Sequence, residues 1–333
     1  MLAPLSGGRI RPLNGAITAI LSVSAAVVMS TGAFAQTEWP ERTVNVIIGA
    51  SPGGDTDFNA RTMANYFGEI TGTSMVITNM PGGGATIATT AVRDAEPDGY
   101  TMLFGHSGHL IVTEASGLAD YGLDAFEICC IPAIDQGAVF VASADSEITG
   151  VEDLVQRTKD EPGSVVFGTE LGGYSHLQAL KFQEATGAEM RIVDTGSAAE
   201  KITSLLGGRI DVAGIAYGAV QDYVEAGQMM VLGQPNEERN PLLGDVPTFK
   251  EQGIDFVMNN PYIIAFPKGT DAAIVGRMEE IMRQITEMPE YAADLEEGFK
   301  QPVAFHPRED AVERLNAIRE NYMEYSGQLQ AAR

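Results

Sequence analysis

The run Val44-Asn45-Val46-Ile47-Ile48, then Ser51-Pro52-Gly53-Gly54-Asp55-Thr56-Asp57, then Phe58, Met63, Phe67 and Ile70, is the stretch on which the fold turns. A short apolar, β-branched run reads as a buried strand. The glycine pair lets the backbone turn sharply, and Thr56 and Asp57 are residue types that cap helices. The apolar residues that follow recur at helical spacing, so one face of a helix packs back on the strand. Strand, Gly-rich turn and helix in that order form the repeating unit of an α/β fold.

The same alternation continues along the chain. Strands are expected at Ser74–Thr78, Thr101–Phe104, Val139–Ala142, Val165–Phe167, Met190–Val193, Val212–Ala216, Met229–Leu232 and Ile263–Phe266. Helices are expected near residues 176–186, 198–207, 218–226 and 271–286. Phe126–Ile131 is strand-like too, and its Cys129 and Cys130 read as core residues: adjacent cysteines reach disulfide geometry poorly, and free cysteine is commonly buried. A strand over Gly137–Ser143 and a helix capped by Thr149 open a fresh strand–helix series that runs to about residue 232. Residues 233–247, rich in Gly, Pro, Asn and Asp, break it. The expected organisation is a first lobe of 36–136 plus 234–333 and an inserted second lobe of 137–233, joined by strands, since no low-complexity linker is present.

The N-terminus reads as an export signal. Arg9 and Arg11 are followed by the apolar run Gly15–Val28 and by Ala33-Phe34-Ala35, the small-x-small pattern of a cleavage site. The run is shorter than the roughly 20 apolar residues of a bilayer span. Cleavage after Ala35 would leave an exported mature chain of 298 of the 333 residues, enough for two domains. Without Arg9 and Arg11 the formal charge moves from −24 to −26, which argues against nucleic acid and anionic membrane partners.

Chemistry is most densely signalled at four Gly- and Ser-rich strand-to-helix turns: 51–57, 81–86, 171–176 and 194–198. Helix N-termini present unpaired N–H groups and the positive end of the helix dipole. In open α/β sheets such turns lie at the carboxyl ends of strands, where ligands bind. Two turns from each half, converging on one cleft, would hold a carboxylate without any arginine. Other chemistries find less support. Gly82-Gly83-Gly84 lacks the GxGxxG spacing, and no Gly-Lys-Ser/Thr or GxSxG occurs. His106 and His109 lack the further ligands a metal site needs, and no nucleophile is paired with a base. No cofactor and no catalytic residue are expected.

Several motifs, taken in order, resemble one family. Trp39-Pro40-Glu41-Arg42 before the first strand and Pro52-Gly53-Gly54-Asp55-Thr56-Asp57 after it are similar to the opening of the tripartite tricarboxylate transporter solute-binding proteins, or Bug family. Asn79-Met80-Pro81-Gly82-Gly83-Gly84, Pro97-Asp98-Gly99-Tyr100-Thr101, Gly173-Tyr174-Ser175-His176-Leu177, Leu206-Gly207-Gly208-Arg209-Ile210-Asp211 and Asp245-Val246-Pro247-Thr248 continue the resemblance over the whole mature chain. It implies a two-lobed periplasmic-binding-protein fold of the type II kind that closes on a mono-, di- or tricarboxylate. It also implies a monomer that docks on separate membrane permease subunits and performs no catalysis. A sensing subunit, or a hydrolase-like enzyme on the same scaffold, are the alternatives. Carried onto this sequence, the implied ligand contacts are Ser51, Gly53, Gly54, Asp57, Gly83, Gly84, Ala85 and Ser107 from one lobe. The other supplies Gly173, Ser175, His176, Thr195 and Gly196. Asp194-Thr195-Gly196 departs from the family's Tyr-Lys-Gly, leaving Asp194 either turned outward or facing an amine on the ligand.

Overall fold

The computed structural model describes residues 39–258 and 260–331; the expected signal segment 1–35 lies outside them. Among the described residues the strands are β1 Val44–Ile48, β2 Met75–Asn79, β3 Thr101–His106, β4 Phe126–Ala133, β5 Ala138–Ser143 and β6 Val166–Thr169. They continue as β7 Arg191–Asp194, β8 Val212–Ala216, β9 Met229–Gly233, β10 Tyr262–Pro267 and β11 Val303–His306. Two mixed sheets result, in the orders β11-β4-β10-β3-β1-β2 and β7-β6-β8-β5-β9. Each contains three adjacent parallel strands, β2-β1-β3 in one and β7-β6-β8 in the other. An antiparallel strand follows in each case, β10 against β3 and β5 against β8. The two halves therefore share a topology that no sequence repeat announces.

The expected strands appear with ends displaced by a residue or two. β11 was not expected, because its four residues are all only partly buried and make no long apolar run. It pairs with the edge of β4 across a register shift. The helix Val151–Asp160 also differs from expectation: Gly150, not Thr149, stands at its N-cap. Thr149 instead donates its backbone N–H to Asp153 Oδ2 at 2.9 Å, so the cap is supplied from inside the helix.

One apolar cluster belongs to the first sheet and one to the second, and a third is continuous across both, joining Leu103 and Ile263 of the first with Phe140 and Phe167 of the second. On the first sheet, helices Asp55–Thr71 and Ala272–Thr286 bury Met63, Phe67, Met278 and Ile281 against Val44, Phe104, Phe266, Cys129 and Cys130. On the second sheet, Phe140 meets Phe167, Phe182, Phe249 and Phe256 with ring centroids 5.2 to 5.5 Å apart. Such tilted and edge-on contacts suit the aromatic quadrupole. Phe249 and Phe256 come from the long connection between β9 and β10, which thus packs on the second sheet.

The chain crosses between sheets twice, after β4 and after β9, and the crossings are tied by amides. Asn236 and Asn240 both donate from Nδ2 to the Gln136 carbonyl, at 2.9 and 3.0 Å. Asn240 Nδ2 also donates to the Lys300 carbonyl at 2.8 Å, and its Oδ1 accepts from the Leu242 amide. A third tie runs through the C-terminal helices. Arg319 pairs with Glu114, Lys181 Nζ donates to Asn321 Oδ1 at 2.8 Å, and Tyr325 bonds Glu184.

Asn240 is 1% exposed, and truncating it removes the donor to the Lys300 carbonyl and the acceptor of the Leu242 amide, while the Gln136 carbonyl keeps Asn236. An unsatisfied buried polar group costs about 1–3 kcal/mol. Asn240→Ala is expected to lower unfolding free energy by about 2 kcal/mol or more in urea denaturation; a loss below 0.5 kcal/mol contradicts a structural role for this knot.

Candidate functional site

The carboxyl ends of β1, β2, β6 and β7 face one cleft of about 670 Å³. The first half lines it with Gly49–Thr56, Pro81, Gly82 and Gly84; the second lines it with Glu170, Gly173–Ser175 and Gly196–Ile202. Among the described residues no arginine lines it. Close packing of the first two turns requires glycine at one point: a Cβ on Gly49 would sit 2.1 Å from the Cβ of Ala85. Gly84, at φ +64°, holds a left-handed conformation that glycine adopts without steric cost.

Asp57 sets the first turn. It is 4% exposed, and its carboxylate accepts from the Gly53 amide at 2.9 Å, from Arg61 Nε at 3.0 Å and from Asn79 Nδ2 at 2.9 Å. Burial pushes its pKa up, but these hydrogen bonds and the Arg61 charge outweigh burial and hold it below the usual carboxylate range. Asn79 Nδ2 also donates to the Ala50 carbonyl at 3.0 Å, which joins the turn after β1 to the end of β2.

The second half brings two helix N-termini to the cleft, those of Tyr174–Thr186 and Ala198–Leu206. The second starts with a capping box in which Glu200 accepts the Ser197 amide at 2.8 Å. Ser175 Oγ lies 2.6 Å from Thr169 Oγ1 and accepts from Lys201 Nζ at 2.8 Å. Lys201 is 7% exposed and has no carboxylate within 4.0 Å among the described residues. Burial pushes its pKa down to about 8, opposed by the charges of Glu170, Asp55 and Asp194. Glu170 reaches across the cleft, where its Oε1 accepts the Gly84 amide at 3.2 Å. A side-chain carboxylate of one half thus sits on a glycine turn of the other.

The floor is acidic and aromatic. Asp55 Oδ2 accepts from Tyr262 Oη at 2.6 Å. Asp135, 9% exposed, accepts from the Gly137 amide at 3.0 Å and from Asn260 Nδ2 at 3.4 Å. Burial, with the neighbouring Asp55 charge, pushes Asp135 up to about 7. The rings of His106 and His109 lie 3.7 Å apart. Burial pushes His106 down to about 4, and His109, buried beside it, well below its ordinary value. Both are therefore neutral at neutral pH. No group of three or more His, Cys, Asp or Glu among the described residues is placed to hold a metal.

The family model for the tripartite tricarboxylate transporter family receptor matches residues 59–318. The chain belongs to this family. The receptor is 28% identical to protein BugT of Bordetella pertussis over 241 residues, 71% of this chain and 74% of that one. Its fold matches that of MatC from Rhodopseudomonas palustris, solved with bound malate, at a TM-score of 0.76 and 22% identity, covering 87% of this chain and 99% of that one. It also matches Rpa4515 from the same organism, solved with adipate, at a TM-score of 0.79 and 24% identity, covering 88% and 98%. The receptor accordingly has the two-lobed periplasmic-binding-protein fold, with a mixed sheet in each lobe and a cleft between them.

Of the contacts carried onto the receptor from sequence, Ser51, Gly53, Gly54, Gly84, Gly173, Ser175 and Gly196 line the cleft. The other six are outside its lining. Asp57 is committed to Arg61, Asn79 and Gly53. Gly83 is exposed, and Ala85 is buried against Gly49. Ser107 donates to Asn260 Oδ1 at 2.9 Å and so orients a residue that does line the cleft. His176 Nδ1 accepts the Gly172 amide at 3.1 Å, and Thr195 Oγ1 donates to the Thr169 carbonyl at 3.2 Å. Asp194 is exposed and accepts from Gly196 N at 3.3 Å, outside the lining. Sequence reasoning passed over Asp55, Asp135, Glu170 and Lys201 as cleft residues. Asp55 lay inside a motif quoted for its glycines, and its charge there was the available signal. Lys201 looked like an ordinary solvated lysine on a helix.

A pH signature follows from Asp135. Its pKa in the fold, about 7, lies above its ordinary 3.8, so between these values the folded chain keeps a proton that the unfolded chain has released. That stability is fully present at acid pH and is lost as the pH rises through about 7. Asp135→Asn removes the slope. Its stability relative to the parent is expected to rise by more than about 1 kcal/mol between pH 5 and pH 8. A relative stability that stays flat over that range, measured by urea denaturation, contradicts the shift.

Proposed function

We propose that the receptor captures a small carboxylate outside the inner membrane and hands it to the membrane subunits of a tripartite tricarboxylate-type transporter, without catalysis. The observation that carries this reading is the convergence of helix N-termini and glycine turns from both lobes on one cleft that no arginine lines among the described residues. First-turn amides there have no partner within their own helices, and they favour a negative group. The ligands in the titles of MatC and Rpa4515, malate and adipate, agree with a carboxylate. The N-terminal signal pattern supports export, with cleavage after Ala35. We take the lobes as 36–136 plus 234–333 and 137–233, with Phe249 and Phe256 packing on the second sheet. Closure by rotation about the two crossings would bury the ligand and present the closed form to the permease.

A ligand that binds only the native state stabilises it, by about 2.7 kcal/mol at a hundredfold excess over Kd. A thermal-shift screen of mono-, di- and tricarboxylates and amino acids is therefore expected to find at least one compound that raises Tm by several degrees. A panel in which none moves Tm contradicts the reading.

A further inference from the structure

Lys201 is costly where it stands. It belongs to the first turn of its helix, where the dipole disfavours a cation. It is nine-tenths buried and has no ion-pair partner within reach, and an unpaired buried charge is expensive. Its ammonium contacts Ser175 Oγ and faces the cleft. The more distant charges of Glu170, Asp55 and Asp194 offset burial only in part, and a carboxylate bound at the ammonium would offset the rest. Ala198 and Ala199 line the cleft beside it, at helix positions whose amides have no carbonyl to bond.

Across the cleft the charges are reversed. Asp55 and Asp135 line it, neither has a cation within 4.0 Å among the described residues, and Tyr262, Asn260 and the Gly137 amide hold them in place. His109, 8% exposed, lines the same region and has no hydrogen-bond partner for Nδ1. Glu170 already occupies the Gly84 amide with a carboxylate of the protein's own. A second ligand carboxylate would therefore meet one filled anion seat and two acids. An ammonium would meet two open acceptors.

We propose that the cleft selects a carboxylate that also carries an ammonium group, the carboxylate seated on Lys201 and the helix N-termini and the ammonium read by Asp55 and Asp135. The inference rests on the cleft being a carboxylate site and names the ligand class it takes. Asp55 and Asp135 are then the specificity residues, and Lys201 the charged anchor.

The test is calorimetry on the full chain with matched probes: succinate against γ-aminobutyrate, glutarate against δ-aminovalerate, adipate against ε-aminocaproate, and cadaverine as a diamine. Within a pair the amino acid is expected to bind at least tenfold tighter. Asp55→Asn and Asp135→Asn should each weaken it at least tenfold while leaving the dicarboxylate unchanged or improved. Lys201→Met should lose both ligands while melting, unliganded, no lower than the parent. Should one aspartate variant fail to fold, the other variant and the ranking on the parent protein decide. Tighter binding of the dicarboxylates overturns the proposal and leaves the carboxylate reading standing. Binding of cadaverine alone overturns both, and binding of none of the probes overturns the proposal while the broader carboxylate screen decides the reading beneath it.

Discussion

The first-turn amides of helices Asp55–Thr71, Tyr174–Thr186 and Ala198–Leu206 have no acceptor inside their own helices, and all three ends stop at one cleft. The rest of the structure serves that convergence. Parallel strands aim the turns, and Gly49 admits the second turn against the first. Asp57 locks the backbone of the first turn to Arg61 and Asn79. The two crossings and their asparagines set the halves face to face. A chain of net charge −24 can thus present a locally positive surface made of backbone dipoles.

Local charge then divides the cleft. Lys201 and the helix ends favour an anion on one side, while Asp55, Asp135 and Glu170 disfavour one on the other. Each of these ionisable groups has a hydrogen bond, yet none has an ion-pair partner within 4.0 Å among the described residues. Buried or half-buried charge without a counter-ion weakens a fold. Stability conceded in a site that faces a ligand is the pattern expected of function rather than of packing.

Much of the architecture was legible because its signals are local. Val44–Ile48 and Val212–Ala216 are short apolar runs bounded by breakers, and the structure makes each a strand with those ends. The turns were legible because glycine has few other reasons to cluster after a strand. β11 was not, since its pairing depends on the edge of β4 rather than on its own residues. The shared topology of the halves left no repeat to read. The glycines that line the cleft were legible as turn residues for the same reason, but its charged residues were not. Nothing local distinguishes Lys201 from a solvated lysine until helix Ala198–Leu206 is seen to turn it onto Ser175. Asp135 lies at a sheet crossing, and only the fold brings it beside Asp55.

The reading of this cleft as a seat for a ligand carboxylate is tested most directly by NMR titration of amide-labelled protein with a compound that binds. The amides of Tyr174, Ser175, Ala198 and Ala199 are expected to move downfield together, saturating with one Kd. Shifts that saturate elsewhere, with these four unmoved, would contradict it.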